Sequence, residues 1–232
     1  MEISKAKVLI TGGSTGIGFE TAKLLRSQGA QVVICGRNED TVMAAADELG
    51  VIGFKADVSN EKDIVNLIEF TIQQLNGFNV LINNAGIGLI SPLVETTTDD
   101  YQRIWETNVK GAFVAGREAA KYFIKQQTGN IINISSSAGV RGFENGSAYV
   151  ASKFAMSGLT ECWRLELRKH NIRVMQVNPS EVVTPFTTKL GYTSANPDRK
   201  LKGTEIAHII SSMLSMNDVG FIPEVSVWAT NP

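Results

Sequence analysis

Two side chains four residues apart carry the most reactive chemistry in this sequence, Tyr149 and Lys153 in the stretch SAYVASK at 147–153. If the run through residue 167 is helical, the i, i+4 spacing puts them on one face, one turn apart. A proton donor then stands beside a fixed cation. A free tyrosine titrates near ~10 and is a poor acid–base catalyst at neutral pH, but a neighbouring ammonium favours the phenolate and draws that value toward the working range. The same spacing on a surface helix would be an ordinary Tyr and Lys, so its meaning depends on the elements that position it.

The first of those elements is a strand, a Gly-rich turn and a helix. The apolar run AKVLIT at 6–11 stops at Gly12, and helical spacing follows over 18–27. Between them lies TGGSTGIG at 11–18, with glycines where backbone must pass close to a ligand and a helix N-terminus beyond. Backbone N–H groups and the helix dipole favour a pyrophosphate there. The spacing is G-x-x-x-G-x-G rather than the usual dinucleotide G-x-G-x-x-G. A second strand, QVVIC at 31–35, closes the βαβ unit and delivers Gly36 and Arg37 to the corner where a dinucleotide's adenosine ribose would sit. An acid there would accept from a 2′-hydroxyl; an Arg accommodates a 2′-phosphate, which points to NADP(H).

The alternation continues. A helix is expected over 40–49, a strand over 51–56 ending at Asp57 and Val58, and a helix capped by Asn60 running to about 76. The fourth strand, FNVLI at 78–82, runs into Asn83, Asn84, Ala85 and Gly86, at the strand end where ligands of parallel sheets collect. Thr98 and Asp99 would cap a long helix over 100–126, whose interior carries Asn108 and Gly111, both costly in a helix and in need of a local reason. NIINI at 130–134 is the fifth strand and opens into Ser135, Ser136 and Ser137. The helix of Tyr149 and Lys153 follows, then a sixth strand over 172–177 ending in Asn178, Pro179 and Ser180. Residues 187–202 are polar and predict a mobile loop over the site; 203–216 predict a last helix, and FIPEVSVW at 221–228 an edge strand broken by Pro223. This alternation specifies an α/β fold, a single Rossmann-like domain over 1–232 with a doubly wound parallel sheet.

Composition narrows the function classes. The chain has 232 residues, 22 basic and 23 acidic and interspersed, for a net charge of -1, so no basic face for nucleic acid or anionic membrane is expected. Two cysteines, Cys35 and Cys162, and two histidines, His170 and His208, in unrelated settings support neither a disulfide framework nor a metal site; both cysteines read as small core residues. No leader-like opening and no apolar run of spanning length is present, so a soluble cytoplasmic protein is expected.

With these pieces placed, the chain resembles the short-chain dehydrogenase/reductase family over nearly all its length. TGGSTGIG at 11–18, NNAG at 83–86, NVKG at 108–111, ISSSAG at 134–139, YVASK at 149–153 and NPSEVVTP at 178–185 fall in the family's order and at its spacing. The resemblance implies seven strands in the order 3-2-1-4-5-6-7. It implies a cofactor site formed by Gly12, Ser14, Thr15, Gly16, Ile17, Gly18, Arg37, Asp57, Val58, Asn84, Ala85, Gly86, Pro179, Ser180, Val182 and Thr184, with Tyr149 and Lys153. Asp57 and Val58 would meet the adenine and Thr184 the nicotinamide carboxamide. The implied catalytic set is Asn108, Ser136, Tyr149 and Lys153, with Ser136 chosen from three serines by its distance before Gly139 and Tyr149; Ser135 and Ser137 stay candidates. Lys153 would also hold the nicotinamide ribose, and Asn108 a water in a proton relay.

The implied reaction is NADP(H)-dependent reduction of a carbonyl to a secondary alcohol by hydride transfer. Within the family the likeness is greatest to 3-oxoacyl-acyl-carrier-protein reductases of fatty acid biosynthesis. Reductases or dehydrogenases of small ketones, sugars or polyols are the alternative, and a catalytically silent cofactor-sensing regulator is a further one that the intact Asn, Ser, Tyr and Lys argue against. An acyl carrier protein partner would call for basic residues at the mouth, for which Lys121, Lys125, Arg168, Lys169, His170 and Arg173 are the candidates. A homotetramer is implied, with Phe113, Phe154 and Trp163 as interface candidates. Two departures from the family pattern are Ser180 where Gly is usual and a C-terminal stretch, 227–232, without the usual Gly pair.

Overall fold

In a computed structural model describing residues 1–190 and 196–232 (Lys189 by its backbone), the apolar runs become seven strands. They are β1 (Lys7–Thr11), β2 (Gln31–Gly36), β3 (Ile52–Lys55), β4 (Val80–Asn83), β5 (Gly129–Ile134), β6 (Ile172–Pro179) and β7 (Glu224–Val227). Every pairing is parallel and the order is β3-β2-β1-β4-β5-β6-β7. Parallel neighbours need crossover connections, which put helices on both faces and bury both, so the central strands β4 and β5 are buried at every residue instead of alternating.

The crossovers are α1 (Gly16–Ser27), α2 (Glu39–Leu49), α3 (Glu61–Leu75), α4 (Thr98–Trp105), α5 (Ala112–Gln126), α6 (Ser147–Leu167), α7 (Pro185–Lys189) and α8 (Gly203–Ser215). Successive strand residues point to opposite faces. Val8 and Ile10 pack with Leu25, Val42 and Ile206 under α1, α2 and α8. Leu9 packs with Leu67, Phe123 and Trp163 under α3, α5 and α6.

Several elements depart from the sequence expectation, each for a local reason. Thr97, not Thr98 or Asp99, caps α4: its extended backbone lets its hydroxyl accept from the Asp100 N–H at 3.1 Å, and Asp99 and Asp100 sit in the first turn, where the dipole favours them. The long helix expected over 100–126 is α4 and α5 joined by a π-helical segment, Glu106–Gly111. A Cβ on Gly111 would lie 2.6 Å from the Val58 carbonyl oxygen, so the glycine lets this segment approach the loop after β3. β6 continues two residues past the expected end, because Asn178 and Pro179 pair with Ser226 and Val227. The edge position of β7 accords with Pro223, which precedes the strand rather than lying in it.

Residues 187–202 are not wholly a loop. Thr184 and Pro185 start α7, which takes in Thr187 through Lys189, and Pro197–Arg199 form a 3-10 turn; 191–195 of that expectation lie outside the described residues. Cys35 is buried, but Cys162 lies on the outward face of α6 and is exposed, not a core residue. Trp163 is only 9% exposed and packs within its own chain over Gly116, whereas Phe113 and Phe154 remain partly exposed. Among the described residues, no helix is long and apolar enough to cross a membrane and no cluster of His, Cys, Asp or Glu could hold a metal ion.

Candidate active site

Between β1 and β4 the strand order reverses, and crossovers leaving in opposite directions open a crevice at the carboxyl ends. A cavity of about 830 Å³ fills it, running from Arg37 past the Gly-rich turn to Tyr149. That volume lies within the usual range for small-molecule sites.

At the β1 end, Gly12 (φ 64) and Gly16 (φ 58) adopt the left-handed conformation that turns the chain from β1 into α1. Ser14, Thr15, Gly16 and Ile17 line the cavity with Gly12. Thr15 makes no side-chain cap, so it does not compete for the first N–H groups of α1. Asn84 staples this turn to the end of β4, its Nδ2 donating to the Thr11 and Gly12 carbonyls at 2.9 Å each, while the Thr11 hydroxyl accepts from the Asn84 and Ala85 N–H groups at 3.1 Å. Gly18 does not line the cavity. It stands behind the turn, where a Cβ would come within 2.4 Å of the Gly12 oxygen and 2.5 Å of Asn84 Nδ2.

At the β2 end, Gly36, Arg37, Asn38 and Thr41 line the cavity, with Ala56 and Val58 opposite. Asn38 accepts from the Thr41 N–H at 2.9 Å as the cap of α2. Arg37 is exposed. Asp57, expected beside Val58, is not among the lining residues: its carboxylate turns onto the Ser59 N–H and hydroxyl at 2.9 and 2.8 Å and shapes the turn into α3.

At the far end α6 carries Tyr149 and Lys153 one turn apart on the cavity wall. Lys153 is 7% exposed, its Nζ donates to the Ile134 carbonyl at 2.9 Å and stands 5.7 Å from the centre of the Tyr149 ring. Burial brings the Lys153 ammonium down to about 8. Burial pushes the Tyr149 phenol up to about 12, opposed by a hydrogen bond with Ser136. This differs from the expectation that Lys153 would pull the phenol down. Desolvation disfavours the charged form of each group, so both are driven toward neutrality, and at neutral pH Tyr149 holds its proton.

Ser136 begins the 3-10 turn Ser137–Gly139, with its Oγ accepting from the Ala138 N–H at 3.1 Å. That bond uses a lone pair and leaves the hydroxyl proton for the phenol oxygen. Ser135, by contrast, is buried and donates to the Lys153 carbonyl at 3.3 Å; Ser137 lines the cavity as part of the turn.

Asn108 lies behind the wall, 2% exposed. Its side chain mimics a strand partner for Ile87, accepting from the N–H and donating to the C=O at 2.8 Å each. Its Nδ2 also donates to Ser152 Oγ at 3.0 Å, and Ser152 Oγ donates to the Tyr149 carbonyl at 2.7 Å. The odd polar residue in the π-helical segment therefore joins the loop after β4 to the turn of α6 that bears Tyr149. Ser152, absent from the sequence reading, is fully buried; its only signal was a small hydroxyl residue three positions after Tyr149.

Gly86, Pro179, Ser180, Val182 and Thr184 line the cavity as well. The Ser180 N–H donates to the Val227 carbonyl at 2.8 Å, continuing the β6–β7 ladder at the position where Gly was expected. Thr184 packs against the Gly-rich turn, 3.2 Å from where a Gly16 Cβ would be. Phe143, Phe186 and Leu190 also line it, and the polar composition around them gave no sign of that.

The model of the short chain dehydrogenase family matches residues 6–194. A Thermotoga maritima protein named 3-oxoacyl-acyl-carrier-protein reductase FabG is 35% identical over 195 residues, 82% of this chain and 79% of that one. A Euphorbia lathyris short chain aldehyde dehydrogenase is 33% identical over 218 residues, 91% of this chain and 75% of its own length. A Comamonas cyclopentanol dehydrogenase is 34% identical over 188 residues, 79% and 75% of the two chains. The crystal structure of levodione reductase superposes with a TM-score of 0.89 at 26% identity, covering 96% of this chain and 95% of that one. With the parallel sheet, the Gly-rich turn and the Tyr–Lys pair at its carboxyl edge, these matches make the chain a member of the short-chain dehydrogenase/reductase family of oxidoreductases, which use nicotinamide cofactors.

Proposed function

We propose that the protein is an NADP(H)-dependent carbonyl reductase in which Tyr149 delivers the proton. The observation that carries this reading is the Tyr149 phenol on the cavity wall, with Ser136 lining the same wall and Lys153 one turn behind. A cofactor-sensing regulator has no use for that arrangement.

The residues present suit a nicotinamide dinucleotide. The N-terminal turn of α1, approached through Gly12 and Gly16, offers backbone N–H groups and a dipole to a pyrophosphate. Arg37 offers a planar cation to a 2′-phosphate, and no carboxylate stands among the residues lining that corner to repel it. Lys153 would hold the nicotinamide ribose hydroxyls, and Val182 and Thr184 would border the nicotinamide. When bound, the cofactor supplies the hydride. The protein's own part is to hold the carbonyl oxygen against the Ser136 and Tyr149 hydroxyls and pass the Tyr149 proton to it as negative charge develops. A phenol that stays protonated at neutral pH is in the right state for the reduction direction. Asn108, through Ser152, keeps the turn of Tyr149 fixed to the loop after β4.

The relatives' names favour two substrate readings: a 3-oxoacyl group on a carrier protein, and a cyclic ketone or alcohol. Arg168 and Lys169, offered from sequence as a carrier patch, lie at the far end of α6 and its 3-10 extension. At 1.5 Å rise per residue that is about 28 Å from Tyr149 along the axis, so within one chain they do not rim the mouth. We therefore place the free ketone first and the carrier-linked substrate second. The test is NADPH oxidation with a free 3-oxo ester and with a carrier-linked acetoacetyl group. A carrier substrate turned over with far higher efficiency, falling steeply with salt, would reverse that order; oxidation with no carbonyl compound at all would overturn the reductase reading.

A further inference from the structure

Resting on the reductase reading, the geometry points to an uncharged carbonyl substrate carrying an apolar group, with Phe186 as the residue that selects it. The Phe186 ring centre stands 5.9 Å from that of Tyr149, tilted by 46°, so a carbonyl held at the phenol has this ring at its flank. Phe186 and Leu190 belong to α7 and the residue after it, and both reach the loop after β4 because position 88 has no side chain. A Cβ on Gly88 would come within 2.9 Å of Phe186 Cζ and Leu190 Cδ2. Ile87 and Phe143 extend the apolar wall; Phe143, 47% exposed, lies toward the mouth with its ring over Gly146.

The charges near this end are already engaged. The Glu181 carboxylate is ion-paired with Lys200 at 2.8 Å, Lys153 is held on the Ile134 carbonyl, and Arg37 is at the opposite end of the cavity. Among the described side chains lining the cavity, none is a free cation beside Tyr149 for a substrate carboxylate. A hydroxylated substrate would press hydroxyl groups against the Phe186 ring, which offers them no hydrogen bond, and that costs binding, whereas an apolar group gains from leaving water.

The experiment compares kcat/KM with NADPH for matched carbonyls: cyclohexanone against dihydroxyacetone, and ethyl acetoacetate against the acetoacetate anion. The expected preference for the neutral, apolar member of each pair is at least ~10²-fold. Phe186→Ala should lower kcat/KM for cyclohexanone by roughly 10- to 100-fold, mainly through KM, with less than about 3-fold effect on dihydroxyacetone and with NADPH binding retained by fluorescence titration. Phe186→Leu should recover most of the loss. Equal or better turnover of the polar or anionic member, or an equal effect of Phe186→Ala on both ketones, would overturn this inference and leave the reductase reading standing. No turnover of any carbonyl would overturn both.

Discussion

Lys153→Met should remove a charge that the fold holds at a cost, and the signature is how that cost changes with pH. Burial lowers the Lys153 pKa from 10.5 to about 8. At 1.36 kcal/mol per pH unit, the charged side chain costs the folded state about 3 kcal/mol below pH 8. The sign follows from proton counting: between about pH 8 and 10.5 the unfolded chain binds more protons at this site than the folded one, so wild-type stability rises with pH and the cost fades. From pH 7 to 9.5 wild type should gain about 2 kcal/mol on the variant. The Ile134 carbonyl loses its donor in the variant, an offset that does not depend on pH. Tyr149, with its folded value raised to about 12 and its unfolded one near ~10, is common to both proteins, so the onset of its titration cancels in the comparison. Urea unfolding of both proteins without added cofactor, followed by fluorescence of the three tryptophans, measures the difference. In thermal scans the closing of the gap corresponds to roughly 4–8 °C for a chain of this size. Stability curves that stay parallel from pH 7 to 9.5 would refute the desolvated lysine.

Arg37→Ala should raise KM for NADPH by about 30-fold, as expected for losing a charge-assisted bond of ~2 kcal/mol, and leave NADH kinetics little changed; adding Gly36→Asp should reverse the preference. Wild type using NADH as efficiently as NADPH would defeat that reading of the corner. Ser152→Ala removes the link between Asn108 and the Tyr149 turn, and should lower kcat by roughly 10-fold and displace its pH profile while cofactor binding holds. A stability loss with kcat and its pH profile unmoved would limit Ser152 to packing.

The sheet was legible because most strands are apolar runs closed by Gly, Asn or Ser, and because every crossover carries helical spacing. The helix cap at Asn60 follows from local chemistry, its side chain accepting an N–H from its own first turn; the cap at Asn38, one residue before a helix expected to begin at 40, was not read. What was not legible depends on contacts distant in sequence. The π-helical segment comes from Asn108 pairing with Ile87, twenty-one residues away, and from Gly111 meeting Val58. Leu190 sits in the polar stretch whose composition predicts a loop and Phe186 just before it, and only the space at Gly88 shows why they are there. Cys162 and Trp163 are neighbours in sequence, yet one faces out and the other covers Gly116; the side of a helix that meets the sheet is a tertiary fact. The direction of the Tyr149 shift was misjudged for a similar reason, since spacing shows that a cation is near but not how far both groups are removed from water.

The most direct measurement of the central claim is turnover by Tyr149→Phe. Phenylalanine keeps the ring that lies against Phe186 and loses only the hydroxyl that Ser136 bonds. With NADPH and the best ketone of the panel, kcat should fall by at least ~10²-fold while NADPH still binds with wild-type affinity. A variant that turns over within a few-fold of wild type would contradict the assignment of Tyr149 as the proton donor.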